Sequence, residues 1–244
     1  MKLYSDDFGY NPRADKEILK LVRRDRLFGL SVIATMVSQA RLRQLVSTLV
    51  KKKEVKIGLH INLIEGKPSS HFLNIKSLVD REGKFFPLPV FLVKLFLGKV
   101  DRLDIKSEIQ SQLNLLKKRN LQVDMLDSHQ HTHAFSPIAE IVEEIADEES
   151  VAQIRNFNSI KTHSLRGRLT LMLVKFIAFL SYLVAYKKIG FPVSWRSAQK
   201  LDWTVMSWES DSFAVEEVVR RGLAFIIHPF LPFDKNKSYQ KYIR

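Results

Sequence analysis

The sequence predicts an α/β fold, a single domain built on a mostly parallel sheet with helical crossovers, and three observations predict it. Apolar runs of strand length alternate with amphipathic runs of helix length along the chain. Reactive side chains gather at or just beyond strand ends: Asp6 and Asp7, His60, His129 and His228. With 244 residues, 45% of them apolar and 27% charged, the chain has the size and composition of one barrel or one large open sheet.

The first strand, "KLYS", runs into Asp6-Asp7. The helical pattern "PRADKEILKLVRRDRL" follows, with proline near its start, where a missing N–H costs nothing. Next come the buried strand "GLSVIATM" and the helix "ARLRQLVSTLVKKK", whose basic last turn suits the negative end of a helix dipole. After the third strand, "VKIGLHINL", residues 64–102 contain Pro68, Pro87, Pro89 and several glycines, and read as an irregular insertion. Regular order resumes with the helix "IKSEIQSQLNLLKKR", the strand "VDMLDSH", the helix "PIAEIVEEIADEE" and the strand "VAQIRNF". Farther on, "TVMSWE", "AVEEVVRRG" and "LAFIIHPF" supply strand, helix and strand. Such crossovers serve a doubly wound sheet or a barrel, and in both the active site forms at the C-terminal strand ends. Reactive side chains at four of those ends favour the barrel, with residues 1–244 as one domain.

Composition narrows the chemistry. The chain has no cysteine, so any metal must be held by imidazole and carboxylate. The start "MKLYSDDFGY" lacks the features of a secretory signal, and a cytoplasmic protein is expected. A net charge of +13 favours an anionic partner. No zinc finger, aromatic RNA-binding strand or basic zipper accompanies it, so no nucleic-acid partner is expected.

Each candidate residue has two readings. Asp6-Asp7 in "SDDFG" suits a turn, yet adjacent carboxylates repel unless a cation or proton compensates. His60, in an apolar strand, is either a core histidine bonded to a carbonyl or a metal ligand aimed into a pocket. In "LDSHQHTH", His129, His131 and His133 share one face only if the segment is extended, and Asp127 is placed to orient a ligating ring. His228 in "FIIHPF" precedes a proline that ends regular pairing. Their conjunction in a chain without cysteine favours the functional reading of the set.

"SDDFG", "GLHINL", "LDSHQHTH" and "IIHP", in that order, resemble the YdjC-like carbohydrate deacetylases across roughly residues 1–232. The resemblance implies an irregular (β/α) barrel of the glycoside hydrolase/deacetylase type that removes N-acetyl groups from sugars with a divalent metal, Mg2+ or Zn2+. By that resemblance Asp7, His60 and His129 hold the metal, Asp6 is the catalytic base, and His228 is the acid or electrostatic stabiliser. Arg155 in "QIRNF" stands where the family often has an arginine. His131, His133, Asp127 and Arg155 are then expected to face substrate or support the ligands. Amide hydrolysis needs an activated water, a stabilised oxyanion and a proton for the leaving amine, and this residue set supplies each.

Two apolar stretches stand apart. Residues 169–186, "LTLMLVKFIAFLSYLVAY", carry a single charge, Lys175, with Arg166, Arg168, Lys187 and Lys188 at the flanks. Residues 85–99, "FFPLPVFLVKLFLGK", repeat the combination. A membrane crossing near residues 168–187 would separate His228 from the other site residues, so a buried or surface-docking helix is expected. Peripheral contact with an anionic membrane is one expectation; packing on the barrel, or in the interface of a homo-oligomer, is the other. The expected partner of the site is an N-acetylated sugar, in an oligosaccharide or a glycolipid. The competing function classes are a metal hydrolase cutting another ester or phosphoester, and an inactive membrane-associated binding protein on a decayed barrel.

Overall fold

The computed structural model describes residues 2–155, the strands Val205–Ser207 and Ala224–Ile227, and a few helical positions from Leu169 to Leu180. His228 and most of the apolar stretch near 168–187 lie outside the described residues.

The strands are β1 (Lys2–Phe8), β2 (Gly29–Val32), β3 (Lys56–Ile61), β4 (Met125–Ser128), β5 (Gln153–Ile154), β6 (Val205–Ser207) and β7 (Ala224–Ile227). All pair in parallel in one sheet, in the order β5-β4-β3-β2-β1-β7-β6. The first strand thus lies beside the last described one, as a barrel requires; a doubly wound sheet would instead reverse its strand order at a switch point. Among the described residues no pairing joins β5 to β6.

Helices α1 (Pro12–Arg23), α2 (Gln39–Leu49), α4 (Arg102–Lys117) and α5 (Ile138–Glu148) are the crossovers, and α3 (Leu88–Phe96) lies in the 64–102 insertion. Asn11, Ser38 and Asp101 cap α1, α2 and α4 by accepting from the backbone N–H of Arg13, Arg41 and Leu103.

The strands sort their side chains by period two. Leu30, Val32, Ile57, Leu59, Ile61 and Leu126 face the helices and are buried against residues such as Ile18 of α1, Leu45 of α2, Ile109 of α4 and Ile141 of α5. Each such burial contributes about 1.5–3 kcal/mol. The alternate positions Tyr4, Asp6, Ser31, His60 and Asp127 are buried as well, and they are polar. Pairing sets His60 beside Asp127 and Ser31 beside Gly58. A Cβ on Gly58 would stand 2.3 Å from the Tyr4 hydroxyl, so this glycine leaves room for the tyrosine beneath the polar layer.

Candidate metal centre

A bulge in β1 puts both adjacent carboxylates into the site. From Ser5 to Phe8 the strand takes three steps while β2 takes two, from Leu30 to Val32, and Asp7 adopts the left-handed φ of 62°. In a regular strand Asp6 and Asp7 would face opposite sides; here both approach His60. The turn that follows needs glycine: Gly9 has φ 107°, and a Cβ there would meet the Val37 Cβ at 2.8 Å. Buried Asp15 holds the turn by accepting from the Gly9 N–H at 2.7 Å and from Arg41 at 2.6 Å.

His60 is fixed from both ends. Its Nδ1 lies 2.6 Å from an Asp127 oxygen and its Nε2 3.1 Å from Asp7. Burial alone would lower the affinity of this imidazole for a proton, but the charge and hydrogen bond of Asp127, with Asp7, outweigh it and push its pKa up to about 10.

His129 repeats the pattern. Its Nδ1 lies 3.2 Å from the same Asp7 oxygen and its Nε2 3.1 Å from Glu65. The hydroxyl of Tyr10 bonds to Glu65, whose charge is the main cause of the raised tyrosine pKa, and the Tyr10 ring centre lies 5.6 Å from that of His129. Glu65 is held by a buried network: the Asn62 side chain accepts from the Ile64 and Glu65 N–H groups and donates to the Glu65 carbonyl. Gln112 in turn bonds both backbone groups of Asn62. Sequence reasoning missed Glu65, whose only signal was its place just past the end of β3.

The segment after Ser128 is not extended, because Gln130 (φ 49°) and His131 (φ 59°) are left-handed and the chain coils as a short 3₁₀ turn. The shared face that alternate spacing would give therefore does not form. His129 turns toward Asp7, whereas His133 packs the other way, its Nε2 donating to the Arg155 carbonyl at 3.1 Å while its Nδ1 accepts from the Ser128 hydroxyl. That same oxygen accepts the His133 backbone N–H at 2.8 Å. Burial, reinforced by the charges of His131 and Arg155, pushes the His133 pKa well down and keeps the ring neutral. The half-buried His131 lies with its ring centre 6.4 Å from that of His133.

Arg155 joins the carboxylates. Its two terminal nitrogens each donate to one Asp6 oxygen at 2.6 Å, and Nη2 also meets Asp127 at 2.6 Å. Burial opposes its charge, but Asp127 and Asp6 raise its pKa further. The Ser31 hydroxyl, 3.3 Å from both an Asp6 oxygen and the His60 Nδ1, stands between the two groups.

These distances test the fit of a cation. Each of the two imidazoles has both nitrogens against carboxylate oxygens, yet a neutral imidazole has a single N–H to donate. The surplus of acceptors around Asp7 is resolved by extra protons or by a metal ion. Donor atoms about 2.1 Å from one ion stand about 3.0–3.4 Å apart, and the Asp7 oxygen lies 3.1 Å and 3.2 Å from the two ring nitrogens. The donor atoms of Asp7, His60 and His129 all lie within 4.8 Å of one another, so the set fits a divalent ion. A second cluster, Asp6, His60 and Asp127, has its acidic charge met by Arg155.

Fold and site together define an α/β protein of barrel strand order whose C-terminal strand ends carry a carboxylate–imidazole cluster. The family described as "YdjC-like protein" matches residues 2–240, and the chain belongs to that family. It is 28% identical over 152 residues to a carbohydrate deacetylase of Xenopus laevis, covering 62% of this chain and 48% of the relative. It is 26% identical over 165 residues to one of Oceanobacillus iheyensis, covering 67% of each. The chain spans about half the length of the vertebrate relatives it matches, 47% for that of Danio rerio. A crystal structure from Enterococcus faecalis, of a protein named for cellobiose-phosphate cleavage, superposes with a TM-score of 0.61 at 17% identity, covering 98% of this chain and 83% of the other.

Proposed function

We propose that this protein is a divalent-metal-dependent hydrolase that removes N-acetyl groups from an amino-sugar-containing carbohydrate. The observation that carries the reading is the pair of imidazoles, His60 and His129, each held between carboxylates with Asp7 common to both. Asp7, His60 and His129 are the proposed ligands, of Mg2+ or Zn2+, since all are oxygen or imidazole nitrogen. A divalent ion bound there would lower the pKa of its water and polarise the acetyl oxygen. Asp127 and Glu65 orient the two rings from their far nitrogens, the usual support for a ligating histidine. Asp6 is the proposed base, aligned by Arg155, and His133 steadies Arg155 through its carbonyl. His228 keeps its proposed role as acid or electrostatic stabiliser on the sequence motif alone. The curated relatives named carbohydrate deacetylase support the acyl group assigned.

Metal analysis combined with acetate release tests this reading. One bound divalent ion per chain and acetate from N-acetylglucosamine oligomers are expected. Metal without acetate from any N-acetylated sugar would reassign the bond cut, and a chain that binds no divalent ion would overturn the reading.

A further inference from the structure

We infer that the apolar side chains exposed on the 64–102 insertion and in the stretch after β5 dock on an anionic membrane surface. Helix α3 buries Phe91 and Leu95 while exposing Val90, Val93 and Leu97 (44%, 57% and 57%), three positions on one side of a helix. The tip of the same insertion exposes Phe72 and Leu73. After β5 the helical positions Leu169, Met172, Leu173, Phe176 and Leu180 are exposed, while Ile177 packs against the core. Isolated exposed leucines are ordinary, but an apolar side on α3, with five more exposed apolar residues after β5, marks an interaction surface.

Topology ties the insertion to the site edge. It leaves the C-terminal end of β3, and α4 then crosses back to β4, so α3 lies on the side where His60, His129 and Asp7 gather. Glu65, at the start of the insertion, touches His129.

Charge selects the occupant. Lys67, Lys76 and Lys99 are exposed on the insertion, where Lys84 pairs with Glu82, and the whole chain carries +13. A second copy would bring like-charged rims together, whereas an anionic bilayer answers the lysines and takes the apolar side chains into its interface. Among the described residues no helix is long and apolar enough to cross a membrane, and the contact inferred is a peripheral one.

Flotation of the full chain with vesicles of phosphatidylcholine, alone or mixed with phosphatidylglycerol, tests the inference. Selective flotation with the anionic vesicles is expected, weakened by added salt. The double variant Val93→Glu/Leu97→Glu and the single variant Phe176→Glu should lose it while releasing acetate from soluble N-acetylglucosamine oligomers at the unaltered rate. Flotation that ignores vesicle charge, or variants that float like the parent, would overturn the docking. So would gel filtration showing a dimer that the same variants split, because a second copy would then cover the face. Flotation needs no turnover: a chain that docks as expected yet releases no acetate counts against the reaction assigned above and not against the membrane contact.

Discussion

Arg155 grips Asp6 with both terminal nitrogens, at 2.6 Å each, while one of them also holds Asp127. The base proposed for the reaction is therefore aimed by a group that never needs to touch substrate. Arg155→Lys keeps one charge but cannot span both Asp6 oxygens. We expect kcat to fall by about 10²- to 10⁴-fold with metal retained. Arg155→Ala leaves two buried carboxylates facing each other and should cost about 3–5 kcal/mol. Steady-state kinetics, metal content and denaturant titration read these effects; a lysine variant with unchanged kcat would remove the positioning role.

Metal occupancy separates the two adjacent carboxylates. His60→Ala and His129→Ala should lose the ion, and Asp6→Asn should keep it and lose turnover. Plasma emission spectrometry on the purified variants decides this. Equal metal loss in all three would make Asp6 a ligand.

Glu65 is the half-exposed counterpart of buried Asp127, each set against the far nitrogen of a proposed ligand. Glu65→Gln should weaken metal binding by about 10- to 100-fold, the usual cost of losing such a partner. Because the amide still reaches His129, the fold should stay intact. Calorimetric titration of the chelated protein with Zn2+ provides the number, and an unchanged Kd would leave Glu65 without this part.

Two of the buried histidines, His60 and His133, predict opposite limbs in the stability of the metal-free protein. Both titrate near 6.5 when unfolded. Folded His60 holds its proton to about 10, so its contribution is complete below 6.5 and is lost as pH rises through about 10. His133 resists protonation in the fold, so its contribution is complete above 6.5 and is lost as pH falls below that value. The Tm of the chelated protein should therefore decline on either side of about 6.5. Metal, taking the place of the His60 proton, should flatten the alkaline side. A chelated protein whose Tm does not fall between about pH 7 and 9 would exclude the His60 proton.

From β1 to β5 the strand and helix order was legible because period-two and helical patterns write each element into local sequence, while the expected helix "AVEEVVRRG" lies outside the described residues. Asp7, His60 and His129 were legible as candidates because each sits at the end of such a pattern. What local sequence does not carry is conformation fixed from outside. The left-handed pair Gln130 and His131 depends on where Ser128 and His133 are packed. The double ion pair of Arg155 depends on β5 lying beside β4. Glu65 sits in a stretch without periodicity and is placed by Gln112, fifty residues from the Asn62 that it holds.

The bulge in β1 carries a consequence for heredity as well as for geometry. Asp6 and Asp7 owe their common destination to one surplus residue between Ser5 and Phe8, a matter of counting rather than of side-chain chemistry. That span holds only the two aspartates, so a substitution can dull one carboxylate and leave the other in place, whereas loss of either codon removes one acid and, by evening the register, spoils the aim of the other. A deletion at that point is thus a double injury where a substitution is a single one.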